Sequence, residues 1–458
     1  MKKIKGLVYL LCLGITATAQ KPVTIDGNFA NGKQQPEIKL FKVADGTLEP
    51  IATTRLNDKG KFGFRFFPEY EGLYVIGAGR PLTPQGNQKF WLKPGDQLSI
   101  ALTDSSYTLT GAANSKENQV LTQWYKMIWP LEWKSFYFGR ANSTYVDFFP
   151  ELNKLQPKAK TWMTTAPVTG NKKFNAALKD IVRLDLAYTA LNFLSTPRLA
   201  HPAKEEIPEY YSGLSVNGLF PVTSMVYTYP WGSRLFNQVF MKDQLNSGEE
   251  AKRGLAAMEQ GLRLIDNDTL KGDMTLQYLA RLKNYEDFLA YKSIAEKYIL
   301  TDAQKKEEFR IDAALTELKQ GANGYEFKLE DKDGKMVAFT DLKGKVVLID
   351  TWATWCAPCK VEIPHLKKLE EEMKGKAVAI VSISVDEEND KDKWRKMIAD
   401  QNLGGIQLFA KGWSYFTKYY KITAIPRFLV FDKQGKVVTI DAPRPSSPDL
   451  KPLLEKYL

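Results

Sequence analysis

The chain is poor in the two residue types that most often staple or metallate a protein. Of 458 residues only three are cysteine and two histidine, so a dense disulfide framework is excluded, and His201 and His365 offer no recognisable ligand spacing for structural zinc. No arginine-rich arm accompanies the net charge of +11, and acids are interleaved with the basic residues, which argues against nucleic-acid binding. The ten-residue apolar run from Gly6 to Ile15 is shorter than the roughly 20 residues that cross a bilayer, and no second long run follows it. With 44% hydrophobic and 26% charged residues the composition is neither disordered nor collagen-like. The length alone suggests about three domains at roughly 150 residues each.

Residues 1–19 read as a secretory signal peptide. Lys2, Lys3 and Lys5 precede the apolar run, and Ala17-Thr18-Ala19 places small residues before a cleavage point at Gln20. Bulky Leu10 and Leu11 before Cys12 argue against lipid attachment there. Cleavage would discard Cys12 and three lysines, taking the net charge from +11 to about +8. It leaves Cys356 and Cys359 as the whole thiol inventory. An exported chain that keeps one pair, two residues apart, uses it for chemistry rather than for stapling.

Three compositional stretches follow, and the expected architecture is multidomain. Residues 20–112 alternate in character between turns such as Asp45-Gly46 and Pro94-Gly95-Asp96, the pattern of an all-β, sandwich-like domain. Residues 113–320 change to helical periods, with Phe174, Leu178, Ile181 and Leu184 on one face and a Thr301-x-x-Gln304 box opening a last helix. Within this central helical region Thr196–Pro230 is rich in proline, glycine and tyrosine and reads as an irregular loop or cap. The aromatics Trp124, Trp129, Trp133, Phe136, Tyr137 and Phe138 read as core packing in preference to a binding surface. Residues 321–458 alternate strands and helices, with Val346–Asp350 and Val378–Val385 as continuous apolar strands of a parallel unit, hence an α/β domain. The turns at Asp58, Asp331 and Asp432 read as hairpin chemistry, since they lack the other ligands of a calcium loop.

Trp355-Cys356-Ala357-Pro358-Cys359 lies between the first of those strands and a helical pattern through Val361, Ile363, Leu366 and Leu369. That position puts Cys356 at a helix N-terminus, where free N–H groups and the dipole favour a thiolate. Cys356 is thus the attacking sulfur, and Cys359, one turn in and expected to be less open to solvent, is the resolving one. Asp350, at the end of the buried strand, and Glu362, on the next helical turn, are candidates to take the proton from Cys359 if burial brings them near neutrality. Pro364, inside the helix five residues beyond Cys359, should remove one backbone hydrogen bond and kink it.

These residues resemble the thioredoxin fold, and in particular the TlpA/ResA-like family of exported thiol-disulfide oxidoreductases. The likeness is carried by Gly344–Asp350, Trp352–Lys360, Glu362, Pro364 and Ala424-Ile425-Pro426, about 130 of the 458 residues. It implies a thioredoxin-like fold for 321–458 and a cis Ile425–Pro426 bond facing the cysteines. It also implies substrate contacts from Trp355, Ile425 and Pro426, and redox chemistry through a Cys356–Cys359 disulfide with Glu362 and Asp350 as active-site acids. No cofactor and no metal are expected. Arg427 departs from the threonine usual after the cis proline in thioredoxin. Ala353 occupies the place where peroxide-reducing relatives of the fold carry threonine.

The resulting expectation is a periplasmic disulfide reductase acting on exported proteins with oxidised cysteine pairs, apocytochrome c among them, and recharged by an inner-membrane electron donor. An oxidase or isomerase differs only in potential, and the Ala357-Pro358 dipeptide between the cysteines, with no histidine, favours the reductant. A ligand-binding module with an accessory redox domain is the alternative from another class.

Overall fold

In the computed structural model the described residues are 21–30, 37–250 and 252–458; the signal segment with Cys12, and the Asn31-Gly32 turn, lie outside them. The chain forms two compact units. One holds everything described before Ala251 together with Arg263–Asn267, and the other holds Lys252–Leu262 and Asp268–Leu458.

The first unit begins with β1 (Val23–Phe29), β2 (Ile38–Ala44), β3 (Thr47–Thr54), β4 (Lys61–Phe66), β5 (Gly72–Gly77), β6 (Asn87–Leu92), β7 (Gln97–Leu102) and β8 (Tyr107–Leu109). They form two four-stranded sheets, ordered β4-β1-β7-β8 and β3-β2-β5-β6. Alternate residues point inward, so Val23, Ile25, Leu40, Phe64, Tyr74, Ile76, Phe90, Leu98 and Ile100 share one core. Sequence periodicity misses β3, which carries Pro50. Pro50 is tolerated because β3 is an edge strand, and the register slips opposite it, between Leu40 and Phe41.

Helices α1 (Lys116–Phe136), α2 (Tyr145–Thr165), α3 (Lys172–Ser195) and α4 (Gly232–Asn246) complete this unit. Trp124, Phe136 and Tyr137 are buried and Phe138 is exposed. Trp133 lies 5.8 Å from Trp129 and 5.0 Å from Tyr137, ring to ring, so the aromatic cluster is packing apart from Phe138. The Thr196–Pro230 stretch contains only short 3-10 turns and the four- and five-residue helices Val216–Leu219 and Ser224–Thr228.

The second unit opens with α5 (Gly254–Leu262), α6 (Asp268–Leu279), α7 (Tyr285–Ala295) and α8 (Asp302–Thr316). Thr301 caps α8 by accepting from Gln304 N–H at 3.1 Å, while Gln304 Oε1 accepts from Thr301 N–H at 3.1 Å. The chain continues through β9 (Lys328–Asp331), β10 (Met336–Ala338), β11 (Val346–Trp352), α9 (Ala357–Glu372), β12 (Val378–Ser384), α10 (Lys391–Asp400), β13 (Ile406–Phe409), α11 (Tyr415–Tyr419), β14 (Arg427–Phe431), β15 (Val437–Thr439) and α12 (Leu450–Glu455). The sheet order is β10-β9-β13-β12-β11-β14-β15, a thioredoxin-like α/β arrangement. β13, at four residues, is too short for its period to register in the sequence. Its parallel pairing with β12 and antiparallel pairing with β9 define it.

In the hairpins at Asp331 and Asp432 the aspartate Oδ1 accepts from the N–H groups two and four residues on. In the first unit Asn57, not Asp58, does this work.

Every residue of β11 is buried. The strand pairs in parallel with β12 and antiparallel with β14. Its alternation divides it between two cores: Val347 and Ile349 pack with Val381, Leu429 and Phe431, and Val346 and Leu348 with Leu369, Phe428 and Leu454. Ile349→Ala should therefore cost about 2–5 kcal/mol of stability, read as a lowered denaturation midpoint of the transition in which the second unit unfolds.

Candidate functional site

Beyond Trp352 the chain leaves the sheet, turns through Ala353–Thr354–Trp355 and enters α9. Cys356 is the N-cap, its Sγ accepting from Cys359 N–H at 3.2 Å. A disulfide joins Cys356 and Cys359. The N-terminal N–H groups of α9 and its dipole favour negative charge at Cys356 once the bond is reduced.

In this oxidised state both cysteines are buried, Cys356 to 3% and Cys359 to 4% exposure, so the expected difference in openness is not present. The cause is local. The two sulfurs are tied together inside a cluster with Trp352, Ala353, Val385, Trp394 and Phe409. Trp355 stands outside that cluster, 58% exposed. The Ile425–Pro426 bond is cis, and Ile425 packs on the cysteine cluster.

The turn before Cys356 is held by Asp386, a fully buried residue that sequence reading missed. Its carboxylate accepts from Thr354 N–H at 2.9 Å, Thr354 Oγ1 at 2.7 Å and Ser384 Oγ at 2.7 Å. Its own carbonyl accepts from Gly412 N–H at 2.8 Å. The only sequence signal was an acid following the apolar run Val378–Val385, the same signal that drew attention to Asp350.

Asp350 does not end its strand, because β11 continues to Trp352. It is buried, and its hydrogen-bond partner is Ser382 Oγ, at 3.5 Å. Burial raises its pKa to about 7, the Ser382 contact opposing and the charge of Glu362 adding to the effect. Beside it is a cavity of about 20 Å³ lined in part by Trp352, Ser382 and Gln407. Trp352 Nε1 and Gln407 Oε1 are buried without a hydrogen-bond partner. That volume and polarity suit one water molecule.

Glu362 is buried rather than on the exposed face of α9. It accepts from Ser446 N–H at 3.0 Å and from Ser446 Oγ at 3.0 Å, and Arg444 Nη1 approaches to 3.9 Å. Ser446 is 84 residues away in the chain, which no local pattern reveals. Arg427 is buried and paired with Asp441 at 2.9 Å. The structure thus gathers Cys356, Cys359 and Ile425 in one cluster and couples Asp350 to Glu362, while Trp355 faces solvent.

The AhpC/TSA family pattern matches residues 321–440. Residues 321–440 are an AhpC/TSA-family domain. Relatives matching this domain include thiol-disulfide oxidoreductase ResA of Bacillus thuringiensis subsp. konkukian, 31% identical over 118 residues, which are 26% of this chain and 66% of the relative. ResA of Bacillus subtilis is 39% identical over 77 residues, 17% of this chain and 43% of the relative. Among solved structures, the thioredoxin domain of a thiol-disulfide oxidoreductase from Bacteroides vulgatus is 26% identical, covers 30% of this chain and 96% of its own, and has a TM-score of 0.27. The chain thus spans just under two thirds of the length of the first of these curated relatives.

Among the described residues no group of three His, Cys, Asp or Glu could hold a metal ion, and no helix is long and apolar enough to cross a membrane. A separate cavity of about 460 Å³ belongs to the first unit, with Leu73, Trp91, Ile181, Leu184 and Tyr229 in its wall; neither cysteine nor Asp350, Glu362 or Asp386 lines it.

An acid whose folded-state pKa is raised destabilises the fold once pH exceeds its unfolded value. For Asp350 the penalty grows from about pH 4 and levels off above the folded value of about 7. Asp350→Asn should accordingly gain stability over the wild type as pH rises from 5 to 8, by about 2–3 kcal/mol. Urea denaturation of both oxidised proteins at the two pH values checks this.

Proposed function

We propose that the protein is an exported disulfide reductase that works on oxidised cysteine pairs of other exported proteins. The observation that carries this reading is a disulfide between the N-cap and third residue of α9 in an AhpC/TSA-family domain. The names of the relatives, all thiol-disulfide oxidoreductases, support it.

In the reduced form the Cys356 thiolate attacks one sulfur of a partner disulfide. A Cys356–partner bond forms, the partner's own S–S bond breaks, and its other sulfur leaves as a thiolate that is then protonated. Cys359 gives up its proton to a nearby carboxylate and attacks Cys356 Sγ, expelling the second partner sulfur. The pair is oxidised by two electrons and the partner is reduced by two. Trp355, the large side chain exposed at the mouth, and the backbone around Ile425–Pro426 are the surfaces on which an extended partner segment would lie.

Ala353 stands where a peroxide-reducing site carries threonine, which favours disulfide exchange over peroxide reduction. We place the protein in the periplasm, with an electron donor at the inner membrane and apocytochrome c among its partners.

Cys356→Ser should abolish insulin reduction, and Cys359→Ser should accumulate a partner attached at Cys356, read by non-reducing electrophoresis. Insulin reduction by Cys356→Ser at the wild-type rate would sink the assignment. A measured potential below roughly −200 mV supports the reducing direction, whereas one near −120 mV would make the protein an oxidant.

A further inference from the structure

The cavity of about 460 Å³ in the first unit has no part in the thiol chemistry, yet its size is unusual for a packed interior, which leaves few voids larger than a water molecule. It has about three times the volume of an apolar cavity that holds benzene. Three elements wall it: the sheet, through Leu73 and Trp91; helix α3, through Ile181 and Leu184; and a strap, residues 222–229, through Met225 and Tyr229.

The strap and the helix are tied elsewhere in the unit. Gly46, in the β2–β3 turn, donates its N–H to Tyr227 O at 3.0 Å and accepts at its carbonyl from Ser233 N–H at 3.1 Å. Its φ is +70°, and a Cβ there would stand 2.3 Å from Val226 O, so this contact of backbone on backbone requires glycine. Arg183 of α3 donates to Gly218 O at 2.8 Å and to Met225 Sδ at 3.1 Å. Trp91 packs edge-on against Phe174 of α3, ring centres 5.3 Å apart. Held in this way, the walls do not collapse onto one another.

The polar groups of the wall are turned to the protein itself. Tyr229 OH donates to Asp185 at 2.7 Å, Tyr70 OH accepts from Val43 N–H at 2.6 Å, Trp91 Nε1 donates to Glu71 at 3.2 Å, and Thr228 Oγ1 donates to Ser224 O at 2.8 Å. Asp180 pairs with Arg183 at 3.3 Å, and Lys173 donates to Glu71 O at 2.6 Å. A charged guest would lose its hydration for carbon walls, and a peptide would bury its amides against them; an uncharged apolar guest pays neither penalty.

We propose that this cavity is a binding site for an uncharged, apolar small molecule with the bulk of roughly two or three rings, entering past Val222, which is 51% exposed. The site stands independently of the exchange reaction, since neither cysteine lines it.

The test uses the full oxidised chain and two fluorescent probes. N-phenyl-1-naphthylamine is neutral and brightens on leaving water; 1-anilinonaphthalene-8-sulfonate is the same skeleton carrying a sulfonate. The neutral probe should bind saturably, one per chain, and the sulfonate about tenfold or more weakly. Ala177→Trp, on α3, and Val222→Trp, on the strap, should each fill the space and weaken the neutral probe by about tenfold or more, with insulin reduction unchanged. Circular dichroism checks that each variant folds; should one fail, the other and the comparison of probes decide.

The proposal is overturned if the neutral probe does not saturate, if the two probes bind equally well, or if folded variants leave its affinity unchanged. Probe binding that tracks self-association of the chain, read by light scattering, would give the cavity to a second copy and overturn it too. A wild-type protein that binds the neutral probe as expected but does not reduce insulin removes the exchange reading alone.

Discussion

The site depends on one strand being buried on both faces. β11 is paired on each edge and covered above and below, so its backbone has no freedom to shift and its side chains have no solvent to turn to. Three consequences follow from that confinement. Asp350 is held in a medium that resists its charge. Trp352 is fixed within the cysteine cluster. The chain must also leave the sheet at the carboxyl end of the strand, where the next residues begin a helix whose first donors face Cys356.

Three buried acids surround this junction, and the count of hydrogen-bond donors distinguishes them. Asp386 accepts from one backbone N–H and two hydroxyl groups, a set that pins Thr354 two residues before Cys356. Glu362 accepts from one serine twice and has an arginine near it. Asp350 has a single long contact. A buried carboxylate rich in donors is stabilised as a charge and serves geometry. One poor in donors is pushed toward neutrality and can exchange a proton at the pH where exchange chemistry runs.

Much of the second unit was legible from the chain. Apolar runs identified β11 and β12, and the spacing of Ile363, Leu366 and Leu369 identified α9, because burial on two faces or along one helical face leaves a period in the sequence; Val361, read with them, is exposed. β13 did not show, since four residues carry no usable period and only its neighbours make it a strand. In the first unit the alternating strands read well, but β3 with Pro50 did not: whether a proline fits a strand depends on that strand being at an edge. The burial of Glu362 was equally invisible, because an acid on a helix reads as solvated until the segment around Ser446 is brought over it.

What the sequence determined by itself is local: the C-x-x-C pair, the helix start at Cys356, the apolar strands and the acids at Asp350 and Glu362. These are properties of a residue and its near neighbours, and short-range sterics, capping and periodicity suffice to place them. Only the tertiary structure decided the rest. It closed both cysteines into one apolar cluster, carried Ser446 across 84 residues to Glu362, and set Asp386 under the turn before Cys356. Such contacts join segments that no local rule relates, and they exist because a fixed sheet and helix bring the segments within hydrogen-bond range.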